Sequence, residues 1–231
     1  MSQGKGHWWY RVRRELVLYL VRTYASSAKD VLDVGCASGD TLEVLQGAYK
    51  VSGLETSDEA LRVARARGFS VVTASLPNIP HPDNSFDVVL MLDVLEHIED
   101  DSAAVREVQR VLRPGGIFIT FVPAYMFLWS VTDVRSHHFR RYTRPELVSV
   151  MKSAEFSIIR SSYFNTLLFP AIASVRLVTR LFGIHMTTEM SPNLNIFNGL
   201  LYSIFHLELS PLTFVDLPFG VSIFSVARKQ S

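Results

Sequence analysis

A chain of 231 residues is long enough to bury a substantial core without covalent staples, and one α/β domain with embellishments accounts for it. Lysine and arginine number 23 against 22 acidic residues, which excludes recognition of nucleic acid by overall charge; any anionic partner must be met locally. Cys36 is the single cysteine, which excludes an intrachain disulfide, and the opening MSQGKGHWWYRVRRELV lacks the apolar run and cleavage site of a secretory signal, so a cytoplasmic protein is expected.

Val12, Leu16, Tyr19, Leu20 and Thr23 recur at three- and four-residue intervals and predict a helix over 10–24. Val31-Leu32-Asp33-Val34-Gly35 is a short apolar strand closed by a glycine, and 41–49 returns to helical spacing. The pattern repeats with a strand at 51–55, a helix at 58–67 capped by Asp58, and a strand at 70–74. Residues 86–92, FDVVLML, have the continuous apolar character of a strand covered on both faces. A helix over 101–112 is stopped by Arg113-Pro114-Gly115-Gly116, and 117–122 is the next strand. Thr143-Arg144-Pro145-Glu146 reads as a capping box opening a helix to about 154, followed by strands at 156–162 and 221–227.

Strands alternating with helices predict a doubly wound parallel sheet whose ligands bind beyond the carboxyl ends of the strands. Two segments, 123–142 and 164–218, interrupt the rhythm and are expected to form the acceptor or partner region. The division expected is a helical cap at 1–28, a cofactor-binding half at 29–122 and these insertions, all within a single domain spanning 1–231. Much of the 48% apolar share lies between Tyr163 and Leu209, yet no stretch there reaches the roughly 18 uncharged apolar residues of a membrane span. Leu168, Ile172, Val175, Val178 and Phe182 share one face of 165–183, and Phe197, Leu200, Leu201, Ile204 and Phe205 repeat the theme over 196–209. Core cover is the default for 165–209, and a peripheral membrane contact or a homodimer face is the alternative.

Gly35 after the first strand and Gly39 before the next helix let the backbone pass close to a ligand. With two glycines the loop fails the GxGxxG pattern of dinucleotide folds, and without Gly-Lys-Ser/Thr it is no Walker loop. Glu55, twenty-two residues after Asp33, ends the second strand, where a carboxylate can accept both hydroxyls of a ribose.

The ordered set VLDVGCASGD at 31–40, Glu55, PDNSFDVV at 82–89, DVLEHI at 93–98 and LRPGG at 112–116 resembles the signature of class I S-adenosylmethionine-dependent methyltransferases over 31–122. The resemblance implies a Rossmann-like seven-stranded sheet, mostly parallel with an antiparallel last strand, helices on both faces and a helical insertion before that strand. It implies S-adenosylmethionine as cofactor, with Asp33, Gly35, Cys36, Ala37 and Gly39 under its methionine part, Glu55 and Thr56 at the ribose, Ser75 and Leu76 at the adenine, and Leu92 and Asp93 lining it from the fourth strand. Ser75 stands where the family usually has an aspartate, and Ala37 where it often has a glycine. HWWYR at 7–11, HFRRYT at 138–143 and LPFGVS at 217–222 resemble a bacterial branch associated with cell-surface glycan or lipid biosynthesis, which implies a small-molecule, glycan or lipid-linked acceptor.

A sulfonium is an activated methyl donor, so aligning the nucleophile is the main task, and a base helps when the acceptor is a hydroxyl. His138 and His97 are the candidate bases, and His137, Arg140, Arg141 and Tyr142 are the candidate acceptor-binding group, since two arginines beside a tyrosine suit a phosphate, carboxylate or sugar nucleotide. No metal-ligating set and no nucleic-acid partner are expected. The aromatic opening Trp8, Trp9 and Tyr10 is a staple for the first helix or a lid over the cofactor with Arg11 near its carboxylate. The rival readings are a nicotinamide-dependent oxidoreductase, weakened by the absent third glycine, and a non-catalytic scaffold with the methyltransferase fold.

Overall fold

The computed structural model describes residues 6–181 and 195–230. The chain begins with α1 (Trp8–Tyr24) and enters the sheet at β1 (Asp30–Val34), followed by α2 (Asp40–Leu45), β2 (Lys50–Glu55), α3 (Asp58–Ala66) and β3 (Val71–Thr73). Its centre is β4 (Phe86–Leu92), α4 (Asp101–Val111) and β5 (Leu112–Pro123). Then come α5 (Val131–Arg135), α6 (Arg144–Ser153), β6 (Phe156–Phe164), α7 (Phe169–Leu181), α8 (Asn195–His206), α9 (Leu209–Leu212) and β7 (Ser222–Lys229). The strands form one seven-stranded sheet in the order β3-β2-β1-β4-β5-β7-β6, with β7 antiparallel to both of its neighbours and β1 to β5 parallel.

Alternation along β4 explains the two-layered core. Val88, Leu90 and Leu92 face one side of the sheet with Val12, Leu16, Leu20 and Val21 of α1, while Val89 and Met91 face the other with Val105 and Val108 of α4 and Leu147 and Met151 of α6. A side-chain period of two, with helices covering both faces, makes the whole strand apolar.

Local signals set several boundaries. Thr143 and Glu146 form the expected capping box, with Pro145 in the first turn. Helix α3 is capped one residue earlier than expected: the Ser57 hydroxyl accepts from the Ala60 amide at 3.3 Å, and Asp58 lies in the first turn, where its charge meets the positive end of the helix. The Arg113-Pro114-Gly115-Gly116 turn does end α4, but it is an irregularity inside β5, since Phe86 pairs with Leu112 before the register resumes at Val88 and Ile117. Helix α2 is shorter than its periodicity implied, ending at Leu45 before a turn.

Trp8 and Trp9 act as a staple. Trp9 stacks on Phe164 and Phe205 at ring distances of 5.8 and 5.3 Å, Trp8 meets Phe205 edge-on, and the Trp8 amide donates to Asn198 Oδ1 at 2.7 Å. Arg11 lies over the Tyr202 ring of α8 at 3.9 Å. These contacts make α8 a cover for α1 and the sheet. Ile172, Leu201, Tyr202 and Ile204 pack against the same core, whereas Leu167, Val178, Leu200 and Leu207 are exposed. Phe182 and the side chains of Ile196 and Phe197 lie outside the described residues. Among the described residues no helix is long and apolar enough to cross a membrane.

Phe205 is fully buried among Trp8, Trp9 and Phe164, so Phe205→Ala leaves a cavity at the junction of α1 and α8. Urea unfolding of this variant is expected to show a loss of about 3–5 kcal/mol relative to the wild type.

Candidate active site

The chain leaves β1 through a turn that a side chain would obstruct. Gly35, Ala37 and Gly39 all have left-handed backbones, with φ of +74°, +46° and +84°. A Cβ on Gly35 would fall 2.4 Å from Cγ2 of Val94, and one on Gly39 would fall 2.7 Å from the Phe69 ring, so conformation and space both demand glycine. The Gly35 and Cys36 amides donate to the Leu54 carbonyl at 2.8 and 3.0 Å, which anchors the turn to β2. The Cys36 thiol points away from this edge into a cluster with Leu42, Leu61, Phe69 and Val71. Burial, with the charges of Asp33 and Glu55, pushes its pKa up to about 12. Only its backbone is left to face a ligand.

Asp33 is 2% exposed, and its Oδ1 has no hydrogen-bond partner. Burial raises its pKa to about 7, with Arg13 opposing the shift and Glu55 adding to it. Arg13 reaches over from α1 and places Nη1 2.9 Å from Oδ2 of Asp93, which follows β4 in a left-handed conformation (φ +55°). A cleft opens here, lined by Tyr10, Arg13 and Val17 of α1, Asp40 and Thr41 of α2, and Leu92 of β4. At the end of β2 the Glu55 carboxylate accepts the amides of Ala37 (2.8 Å), Thr56 (2.8 Å) and Ser57 (2.9 Å), tying the strand end to the glycine turn. Ser75, exposed, and Leu76, half-buried, lie on the loop after β3 at the same edge of the sheet.

A second group of polar residues gathers beyond Asp93. Residues 95–97 form a single 3-10 turn in which Glu96 is 1% exposed and its Oε2 has no partner. Burial, then the neighbouring charge of Asp93, pushes this carboxyl well above the usual carboxylate range. The ring of His97 stands perpendicular to that of His138 with centroids 4.5 Å apart. Burial and the proximity of His138 lower the pKa of His97, so it is a neutral imidazole near pH 7. His138 Nδ1 lies 2.9 Å from Oδ1 of Asp133.

Asp133 is fully buried and fully engaged. It receives Arg141 Nε and Nη2 at 2.8 and 3.0 Å, and the Ser130 amide and hydroxyl at 2.8 and 2.9 Å. Burial alone would raise its pKa, but these donors outweigh it and hold the group ionised, below the usual carboxylate range. As an acceptor-only group it takes the Nδ1 proton of His138, leaving Nε2 as the open nitrogen.

The rest of the sequence cluster is spent inside the protein. Arg141 is 6% exposed, and its remaining nitrogen, Nη1, donates to the Ala124 carbonyl at 3.2 Å. Arg140 pairs with Asp101 at 2.9 Å and with the Glu99 carbonyl at 2.6 Å, and the buried Tyr142 hydroxyl donates to Asp101 at 2.8 Å. These three side chains hold the insertion onto the body, whereas His138 is brought to His97. His137 is exposed, with φ of +55°.

Sequence reasoning passed over Arg13 and Asp133. For Arg13 a signal existed in the spacing of Tyr10, Arg13 and Val17, which puts them on one stripe of α1 beside its buried face. For Asp133 the signal was Ser130-x-x-Asp133, a short capping box inside the 123–142 insertion.

Residues 32–120 match the family described as "Methyltransferase domain". The chain is 31% identical over 154 residues to a probable S-adenosylmethionine-dependent methyltransferase of Mycolicibacterium smegmatis, covering 64% of this chain and 60% of that protein. It is 36% identical over 99 residues to a ubiquinone biosynthesis O-methyltransferase of Thiobacillus denitrificans, covering 39% and 42% of the two chains. Among solved structures, a putative methyltransferase of Bacillus halodurans superposes with a TM-score of 0.65 at 18% identity, covering 93% of this chain and 99% of that one. A phosphoethanolamine N-methyltransferase of Haemonchus contortus in complex with S-adenosyl-L-methionine gives a TM-score of 0.60 at 18% identity, covering 93% and 52%. The matches to the first curated relatives span 56 to 60% of their length. With the glycine turn, the acidic strand ends and the β3-β2-β1-β4-β5-β7-β6 sheet in place, the chain carries a methyltransferase-domain match over 32–120 and is similar in sequence and in fold to S-adenosylmethionine-dependent methyltransferases.

Proposed function

We propose that this chain transfers a methyl group from S-adenosylmethionine to a hydroxyl of a small-molecule, glycan or lipid-linked acceptor. The observation that carries the reading is the unpartnered Asp33 Oδ1 at the end of β1, beneath a turn that excludes side chains at Gly35 and Gly39. A buried acid without a partner fits a ligand that brings a cationic group, and S-adenosylmethionine carries an ammonium and a sulfonium. When bound, that cofactor supplies an already activated methyl, so the protein's task is placement.

In this assignment Asp33, Gly35, Ala37, Gly39 and the Cys36 backbone hold the methionine part, Glu55 and Thr56 the ribose, Ser75 and Leu76 the adenine, and Leu92 and Asp93 the side facing the acceptor. Arg13 holds Asp93 in place. On the acceptor side, His97 and His138 face the incoming hydroxyl, and Asp133 fixes the orientation of His138, taking Nδ1 so that Nε2 can receive the acceptor's proton. Arg140, Arg141 and Tyr142 act as positioning residues that keep this insertion seated.

The likeness to relatives named ubiquinone biosynthesis O-methyltransferases supports oxygen as the methylated atom. Exposed Leu167, Leu177, Val178, Leu200 and Leu207 support an acceptor, or a surface presenting it, with an apolar portion. A screen with labelled cofactor over glycans, sugar nucleotides and polyprenyl-linked sugars tests the acceptor class, and labelling of nitrogen acceptors alone would sink the oxygen assignment.

Three results are expected from variants and pH. Calorimetric titration of Glu55→Ala with S-adenosylhomocysteine is expected to show affinity reduced at least about tenfold, since a charge-assisted hydrogen bond contributes about 1.5–3 kcal/mol. Asp33 is half-protonated near pH 7 in the free protein and ionises against a cationic ligand, so affinity rises with pH through neutrality and binding releases a proton. Titration in buffers of different ionisation enthalpy measures that release, and Asp33→Asn should abolish it. His138→Ala is expected to lower turnover by about 10²-fold or more while the dissociation constant for S-adenosylhomocysteine stays unchanged.

A further inference from the structure

We infer that Glu96, His97 and His138 form a binding site for a divalent first-row transition ion at the acceptor side of the cleft. One ligand atom from each residue lies within 4.8 Å of the others. Donors around such an ion, at bonds of ~2.0–2.2 Å, sit roughly 3–3.5 Å apart, so the side chains need close in by only about 1–2 Å.

Three independent features make this more than proximity. Glu96 is 1% exposed and its Oε2 has no partner within the protein, although an unpaired polar atom so deeply buried is costly. Each imidazole has one nitrogen already held: His138 Nδ1 by Asp133 at 2.9 Å, and His97 by the backbone of Ser136. That leaves one nitrogen of each ring for an ion, in the carboxylate–histidine–metal arrangement by which outer residues orient ligands. The two segments are also locked together, because the Phe139 amide donates to the Glu96 carbonyl at 2.8 Å and Asp133 is itself braced by Arg141 and Ser130.

Two imidazoles and one carboxylate suit ions from manganese to zinc and disfavour calcium and magnesium, which prefer all-oxygen shells. The sequence gives no metal-ligand spacing, since Glu96 and His97 are adjacent and His138 lies on a separate insertion. The existence of the site does not depend on methyl transfer. Its use, binding an acceptor oxygen and making the hydroxyl more acidic, rests on the proposed function and replaces His138 as the proton acceptor there, since a nitrogen bound to an ion has no lone pair left for a proton.

The test is titration of the chelator-treated full chain with Co2+, followed by calorimetry and by visible d–d absorption, with S-adenosylhomocysteine binding measured on the same samples. The expected result is one Co2+ per chain with d–d bands, and at least tenfold weaker uptake in Glu96→Gln and His138→Ala. Asp133→Asn is expected to weaken uptake 10- to 100-fold without removing a ligand. Circular dichroism confirms that each variant remains folded. Absence of Co2+ uptake by the folded wild type overturns the site, as does uptake unchanged in both Glu96→Gln and His138→Ala. Uptake of Mg2+ without Co2+ overturns the transition-ion class. Loss of S-adenosylhomocysteine binding with Co2+ binding intact overturns the cofactor reading alone.

Discussion

The carboxyl ends of β1, β2 and β4 bring Asp33, Glu55, Asp93 and Glu96 to one edge of the sheet, where Arg13 from α1 supplies opposing charge. Burial first, and then a neighbouring carboxylate (Glu55 for Asp33, Asp93 for Glu96), disfavours the charged form, which is why Asp33 and Glu96 both have raised pKa values. The edge is thus short of positive charge as folded. As proposed, a cationic cofactor would relieve Asp33 and a metal ion would relieve Glu96. Both proposals answer the same imbalance at different points along one wall.

A buried ion pair controls the other half of the site. Asp133 and Arg141 meet through two hydrogen bonds, and removing one partner of such a pair typically costs 3–5 kcal/mol, because the other is left charged and uncompensated. Their geometry places His138 as a consequence, since the carboxylate that takes Arg141 also takes the imidazole Nδ1. Arg176 of α7 adds to the arrangement from 3.9 Å and also donates to the Leu128 carbonyl, so the long insertion before β7 reaches the group around Asp133.

Much of the frame was legible in the chain itself. Strand and helix periods differ, so FDVVLML could be assigned to a doubly covered strand, and Thr143 to Glu146 to a helix start, without any tertiary knowledge. The errors were local. Ser57 rather than Asp58 caps α3, and the Pro-Gly-Gly turn became an irregularity within β5 because pairing with Phe86 extends that strand backwards to Leu112. For Arg140, Arg141 and Tyr142, expected as an acceptor-binding group, charge and aromaticity are visible in sequence, whereas the carbonyls and carboxylates that engage them in the fold are not.

The sequence by itself determined the order of elements, the glycine turn and the acidic strand end, because each depends on near neighbours: backbone freedom at Gly35 and Gly39, apolar alternation, and a carboxylate closing β2. Only the tertiary structure decided which polar groups meet. Arg13 reaches Asp93 across eighty positions of chain, His138 reaches His97 across forty-one, and the thiol of Cys36 turns into the core while its backbone stays at the edge. Those pairings arise from where β4, β5 and the insertion after them converge, and burial settles the charge state of each group, a quantity that no local pattern encodes.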